Sequence, residues 1–149
     1  MVKLIRTNSA NKDFIELVKL LDADLAIRDG EDHDFYNQFN KLDSINHVVV
    51  LYENEIPIGC GAVKEFESST MEVKRMFTLH EARGKGVASK VLNELEKWTA
   101  ELFYTRLVLE TGLQQPEAIA LYEKCGYNKI TNYGQYAGVE NSVCFEKVI

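Results

Sequence analysis

Apolar residues recur along this chain with two periods, and these periods predict its helices and strands. Helical spacing runs through residues 14–25 and returns in residues 87–102, which form the clearest helix of the sequence. Pro116 fits the first turn of another helix, and Gly126 lies where a left-handed C-cap would close it. Residues 32–42 carry an aromatic face among acids and amides, which predicts one further helix.

Between these helices, β-rich runs supply the strands of a predicted sheet. Such runs occupy residues 2–6, 47–53, 58–66, 71–79, 105–110, 127–131 and 142–148. Residues 54–57 join the second and third runs as a hairpin. The elements follow the order strand, two helices, three strands, helix, strand, helix and two strands. This order predicts a mixed α/β fold, with a single domain over residues 1–149.

The acidic balance of the chain restricts its partners. The formal net charge is −6 and the pI is near 5.1, so the chain repels polyanions at long range. This argues against nucleic acid and favours a cationic or amine partner. No apolar run is long enough to span a bilayer, so no membrane partner is expected. Lys3, Arg6 and Asp13 interrupt any signal-peptide core, and a cytoplasmic location is the expectation.

Cysteine and histidine positions predict neither a disulfide framework nor a metal site. The chain has three cysteines, an odd number, and no C-x-x-C pair. Buried thiols are therefore a better interpretation than disulfides or zinc ligands for Cys60, Cys125 and Cys144. The three histidines, at positions 33, 47 and 80, lack the spacing of a metal cluster.

A glycine-rich turn precedes the clearest helix. Its residues are Arg83, Gly84, Lys85, Gly86, Val87, Ala88 and Ser89. The first amides of a helix have no intrahelical partner, and the helix dipole adds positive charge there, so the turn predicts an anion site. Glycine lets a pyrophosphate approach the backbone closely, and Arg83 and Lys85 supply local positive charge.

Other interpretations of this turn remain open at this stage. A plain strand-to-helix connection with a basic rim would show the same residues. A P-loop is excluded, because it would need glycine at Leu79 and Ser or Thr at Gly86. A dinucleotide-binding fold is a remote alternative, since Gly84-x-Gly86 follows a strand and Glu110 ends the next one, but Ser89 replaces the third glycine.

Three segments together carry a family resemblance. They are residues 72–77 (EVKRMF), the R-x-x-G-x-A pattern of residues 83–88, and residues 118–127 (AIALYEKCGY). With the predicted order of elements, they closely resemble the GNAT superfamily of N-acetyltransferases over nearly the whole chain. The resemblance implies a GNAT-like acyl-CoA acyltransferase fold with acetyl-CoA as cosubstrate. It also implies an acetyl group transferred to a primary amine of a small molecule or peptide by direct attack.

The resemblance assigns residues to cosubstrate binding. It implies that amides of residues 83–89 hold the CoA pyrophosphate, and that the strand before them offers the backbone of Met76, Phe77 and Thr78 to the pantetheine arm. A backbone N–H near Met76 would polarise the thioester carbonyl. The full implied set is Met76, Phe77, Thr78, Arg83, Gly84, Lys85, Gly86, Val87, Ala88, Ser89 and Tyr122.

Two catalytic residues follow from the same resemblance. Tyr122 occupies a position where a tyrosine hydroxyl commonly faces the CoA sulfur, although its helical face also fits a core tyrosine. Glu72 matches the position of a general base in some members. Alternation places Glu72, Lys74 and Met76 on one face, so an exposed cross-strand ion pair is the competing interpretation. Glu65 and an ordered water are the alternative candidates for the general base.

The acceptor pocket is the least defined part of the prediction. Phe35, Tyr36 and Phe39 beside the acids at 31, 32 and 34 would suit an amine, but they equally suit a core stripe with solvated acids. The tyrosine-rich residues 132–141 would suit a binding wall, a hairpin or a homodimer contact. A non-catalytic acyl-CoA sensor is the alternative function.

Overall fold

The computed structural model describes residues 1–29 and 44–149, and its strands form one seven-stranded sheet. The strands are β1 (Val2–Thr7), β2 (His47–Glu53), β3 (Ile56–Glu67), β4 (Thr70–Thr78), β5 (Arg106–Gly112), β6 (Asn128–Ile130) and β7 (Ser142–Val148). The helices are α1 (Lys12–Asp29), α2 (Val87–Glu101) and α3 (Pro116–Lys124). The helix predicted over residues 32–42 lies outside the described residues. Among those described, no helix is both long and apolar enough to cross a membrane.

The sheet has the order β1-β2-β3-β4-β5-β7-β6, in which β4 and β5 are the parallel pair and the other neighbours are antiparallel. The predicted mixed α/β fold is therefore confirmed. A dinucleotide-binding fold requires a mostly parallel sheet, so that alternative is wrong.

Helices cover the two faces of the sheet. On one face, α1 packs Phe14, Leu17 and Val18 against β2 and β3. On the other face, α2 packs Val91 and Leu95 against the sheet. Helix α3 joins the same cluster as α2 through Tyr122. Successive residues of β2 and β3 point to opposite faces of the sheet, so these strands contribute buried apolar side chains to the clusters on both faces.

Local turn chemistry accounts for two of the boundaries. The hairpin between β2 and β3 turns at Asn54 and Glu55, whose φ angles are 51° and 71°. Two consecutive positive φ angles define a type I′ turn, which matches the twist of the flanking strands. Gly126 has φ of 90° just beyond α3, so the predicted left-handed cap is confirmed.

A bulge in β4 changes which face its side chains occupy. The ladder to β3 pairs Ala62 with Lys74 but Cys60 with Phe77, and Arg75 has φ of 61°. The extra residue moves Met76 onto the α2 face, where it packs with the cluster that contains Val91. The prediction that Glu72, Lys74 and Met76 share one face is therefore wrong, because strict alternation does not survive a bulge.

The two parallel strands separate partway along their length. Their ladder runs from Thr70↔Arg106 to Glu72↔Val108. Beyond that point β4 stays paired with β3 as far as Thr78, and β5 stays paired with β7 as far as Gly112. The carboxyl ends of β4 and β5 are thus held by different neighbours, which opens a gap in the middle of the sheet.

Candidate active site

A cavity of about 490 Å³ occupies this gap. It is lined by residues 72–78 of β4, by residues 110–112 of β5 and by the turn before α2. Leu21 and Asp24 of α1 line it from one face of the sheet, and Tyr122 of α3 lines it from the other. The cavity therefore reaches both faces of the sheet, so groups from separate layers border the same space.

The glycine-rich turn forms one wall of the cavity. Gly84 and Gly86 have φ angles of 82° and 77°, which favour glycine. A Cβ built on either residue meets no atom within 4 Å, so the backbone there borders open space. The first hydrogen bond of α2 joins the Lys90 amide to the Gly86 carbonyl at 3.1 Å. The amides of residues 87–89 precede it and are available to an anion.

The charges of the turn are arranged differently from the prediction. The Arg83 guanidinium donates to the Thr78 carbonyl at 3.1 Å, lies 3.7 Å from an Asp24 oxygen and covers the Phe77 ring at 5.8 Å. The Asp24 carboxylate of α1 therefore offsets part of the positive charge of Arg83. Lys85 is exposed and does not line the cavity. The remaining predicted cosubstrate residues all line it.

The bulge leaves part of the β4 backbone outside both ladders. The β3 ladder passes from Lys74 to Phe77, and the β5 ladder ends at Glu72, so within these strands Met76 has no partner. Met76 also lines the cavity, so its backbone N–H is the candidate donor at this edge of the sheet. Such a group can bind an oxygen that gains negative charge.

Glu72 is almost buried, with 9% of its surface exposed, on the α1 face of β4. Its Oε2 accepts a hydrogen bond from the Tyr133 hydroxyl at 2.5 Å, and its Oε1 lies 3.3 Å from the Lys74 ammonium. Glu72 thus forms an ion pair, but this pair joins residues of the same strand and is largely shielded from solvent, unlike the exposed cross-strand pair considered from the sequence.

Glu65, the reserve candidate, lies elsewhere. It pairs with Met71 on the α2 face, is exposed and accepts a short hydrogen bond from the Tyr104 hydroxyl. It does not line the cavity. The structure therefore brings Glu72, and not Glu65, together with Tyr122.

Tyr122 is both a core residue and a cavity residue. It is 6% exposed, and its ring packs edgewise on Tyr127 with centroids 5.8 Å apart and lies 6.1 Å from Phe145. Burial raises the pKa of Tyr122 above its ordinary value, with smaller contributions from Cys125 and Glu110. The hydroxyl therefore keeps its proton and can act as a hydrogen-bond donor.

Sequence reasoning assigned neither Asp24 nor Glu110 to the site, and both line the cavity. Tyr136 lines it too, in agreement with the binding-wall interpretation of residues 132–141. Glu110 carried a visible signal, because it is an acid that directly follows the apolar residues 107–109 of its strand. The acceptor candidates Phe35, Tyr36 and Phe39, with acids 31, 32 and 34, lie outside the described residues.

Fold and site together define an α/β protein in which a glycine-rich turn and the start of α2 border a cavity between two separating strands. Residues 14–127 match the acetyltransferase (GNAT) family, and the chain belongs to that family. The chain is 36% identical to an IAA acetyltransferase of Azospirillum brasilense over 91 residues, which are 60% of each protein. The curated relatives match over 50–65% of their lengths.

Solved structures share this architecture along nearly their whole length. A proposed acyl-CoA N-acyltransferase from Klebsiella pneumoniae superposes with a TM-score of 0.82 at 27% identity, covering 99% of this chain and 97% of the other. PaiA N-acetyltransferase from Thermoplasma acidophilum, solved in complex with coenzyme A, superposes with a TM-score of 0.74 at 14% identity, covering 100% and 99%. The second likeness concerns the fold alone.

Proposed function

We propose that this protein transfers an acetyl group from acetyl-CoA to a primary amine of a small molecule or peptide. The main observation in support of this proposal is the cavity between β4 and β5. It brings the start of α2, the bulged edge of β4, Glu72 and Tyr122 to one space. Membership of the acetyltransferase family supports the same reaction.

The residues present suit acetyl-CoA, which would supply an acetyl thioester with an electrophilic carbonyl. Amides of residues 87–89 would bind the diphosphate, helped by the dipole of α2. Gly84 and Gly86 leave the backbone open to close approach. The turn thus anchors the cosubstrate mainly through backbone groups, with Arg83 in a supporting role.

The edge of β4 would orient the thioester. Residues 73–78 present backbone donors and acceptors that β5 does not pair. The amide of Met76 would donate to the carbonyl oxygen as negative charge develops on it. A preorganised donor of this kind is worth about 3 kcal/mol of barrier in comparable sites.

Glu72 would accept a proton from the acceptor amine, directly or through one water. A lysine-like amine with a pKa of about 10.4 costs roughly 4.6 kcal/mol to deprotonate at pH 7, so a nearby base has a clear use. Glu72 is shielded from solvent and lines the cavity, which is the location that this role requires.

Tyr122 would stabilise the departing thiolate by hydrogen bonding. With ordinary pKa values, full proton transfer from a tyrosine to a thiolate is uphill by about 2 kcal/mol. Because burial raises the pKa of Tyr122, the transfer becomes less favourable still. Donation without complete transfer is therefore the role we assign.

The test is release of CoA from acetyl-CoA, followed by chromatography, with a panel of monoamines, diamines and peptide amines. We expect turnover with at least one amine and a loss of about 100-fold in kcat/KM for Glu72→Gln. Glu65→Gln is the matched control, because it makes the same change on the opposite face. Binding of acetyl-CoA without CoA release from any amine would favour the alternative of a non-catalytic acyl-CoA sensor.

A further inference from the structure

The contact between Tyr133 and Glu72 joins the tyrosine-rich residues 132–141 to the site. The Tyr133 hydroxyl lies 2.5 Å from Oε2 of Glu72. An ionised carboxylate only accepts hydrogen bonds, so the hydroxyl is the donor. Lys74 engages the other oxygen at 3.3 Å. The carboxylate is thus held at both oxygens, and its remaining lone pairs can still receive a proton.

Tyr133 is itself held firmly. Its ring packs edgewise on Phe66 and Tyr136, with centroid distances of 5.0 and 5.9 Å. The preceding Asn132 donates from Nδ2 to the carbonyls of Val139 and Ser142, both at 2.9 Å. These contacts fix the start of residues 132–141 against the sheet, so the hydroxyl has a defined position before any ligand binds.

We propose that Tyr133 is a positioning residue, which holds the Glu72 carboxylate in the orientation that meets the acceptor amine. The proposal rests on the function proposed above. Tyr133 does not line the cavity, so it acts through Glu72 and not by touching the acceptor. This role differs from the binding wall, hairpin or dimer contact that the sequence suggested for residues 132–141.

Burial supports the donor role. It raises the pKa of Tyr133, and the neighbouring Glu72 carboxylate raises it further. The hydroxyl therefore keeps its proton at every pH at which the enzyme would work. A hydrogen bond to an ionised group is stronger than one between neutral groups, so its loss should release the Glu72 carboxylate from its fixed orientation.

Other titratable groups also face Glu72. Lys64 of β3 lies opposite Glu72 in the ladder, and Lys74 lies two residues further along β4. From the side of β5 and β7, the neighbouring groups are those of Glu110, Tyr133, Tyr136 and Cys144. The test must therefore change one hydrogen bond and leave these charges in place. Tyr133→Phe does so, since it removes a single oxygen.

The experiment compares Tyr133→Phe with Tyr104→Phe. Tyr104→Phe is a matched control, because it deletes the hydroxyl that donates to Glu65 on the opposite face. We expect Tyr133→Phe to lower kcat about tenfold and to leave the acceptor KM unchanged, because the contact orients Glu72 and does not touch the acceptor. Acetyl-CoA affinity should stay within twofold of wild type. Tyr104→Phe should leave all three quantities unchanged.

Two outcomes would overturn the proposal. One is an unchanged kcat in the Tyr133→Phe variant. The other is a higher acceptor KM, since it would make Tyr133 part of the acceptor wall.

A readout without turnover separates this proposal from the proposed function. Carbon-13 NMR can follow the Glu72 carboxyl, with its signal assigned by its absence in Glu72→Gln. The chemical shift of this carboxyl should change in Tyr133→Phe, and not in Tyr104→Phe, even if no amine is acetylated. An unchanged chemical shift would refute the positioning role whether or not the protein proves to be an acetyltransferase.

Discussion

Glu72 of β4 and Val108 of β5 are the last residues paired in the parallel ladder of the sheet. Past this pair, β4 follows β3 and β5 follows β7, so the cavity begins where their hydrogen bonds stop. Glu72 therefore combines a paired backbone with a side chain at the edge of the cavity. This gives the carboxylate a rigid support, which a proton acceptor needs in order to meet its substrate in one geometry.

The turn before α2 can be tested at Gly86. Gly86→Leu places a side chain in the open space beside the helix start, at a residue with φ of 77°. We expect the affinity for CoA, measured by calorimetry, to fall at least 100-fold. Stability should fall by only about 1–2 kcal/mol, the cost of a left-handed conformation for a residue with a Cβ.

Gly138→Leu is the matched control for that change. Gly138 has φ of 76° and also meets no atom within 4 Å of a built Cβ, but it lies far along the chain among residues 132–141. It should lose similar stability and keep its affinity for CoA. Equal affinities in the two variants would refute the role of the turn.

Asp24 offsets the charge of Arg83 at the cavity wall. Asp24→Asn removes an anion from the region where we place the diphosphate, so we expect CoA to bind about two- to fivefold more tightly at low salt. The gain should shrink as salt rises, because screening weakens interactions at a partly exposed site. Calorimetry at two salt concentrations measures both effects.

Glu16→Gln controls for net charge in that comparison. It makes the same charge change on α1, at an exposed residue that pairs with Lys19. Its CoA affinity should match the wild type. Tightening of equal size in both variants would show that overall charge, and not the contact with Arg83, is responsible.

Tyr122→Phe tests the proposed donor to the thiolate. We expect kcat to fall about 10- to 100-fold with little change in acetyl-CoA affinity, because the bond forms only as the sulfur gains charge. Since burial raises the pKa of Tyr122, its ionisation should produce no basic limb below about pH 10 in the wild-type profile.

Tyr127→Phe is the control on the same cluster. The Tyr127 hydroxyl donates to Glu96 at 2.9 Å, away from the cavity lining. Its loss should cost about 1 kcal/mol of stability and leave kcat unchanged. A similar fall in kcat for both variants would assign the Tyr122 effect to packing.

Cys60 predicts how stability depends on alkaline pH. Burial raises the pKa of its thiol from 9.0 to about 12. Above pH 9.0 the unfolded chain loses this proton while the folded chain retains it, so folding stability falls as pH rises. The loss should reach about 2 kcal/mol near pH 10.5. Denaturant titrations of the wild type and Cys60→Ala should show a shallower decline in the variant, and identical declines would contradict the assignment.

Much of the fold could be predicted from the sequence because the signals are local. The apolar stripe of α2, the proline that opens α3 and the glycine that caps it each depend on residues within a few positions of one another. The glycine-rich turn is local as well, since Gly84 and Gly86 directly precede the first residues of α2. The predicted strand positions agree with the structure to within two residues for the same reason.

Only the tertiary structure decided how the site is assembled. The bulge at Arg75 depends on the register between β3 and β4, and no alternation pattern encodes that register. Tyr133 meets Glu72 across 61 positions of sequence because β7 lies next to β5, which pairs with β4. The register also decides which acid lines the cavity. Glu72 and Glu65 are seven positions apart on one hairpin, but they face opposite sides of the sheet. Local residue preferences set the elements, and contacts between distant strands set which side chains share the cavity.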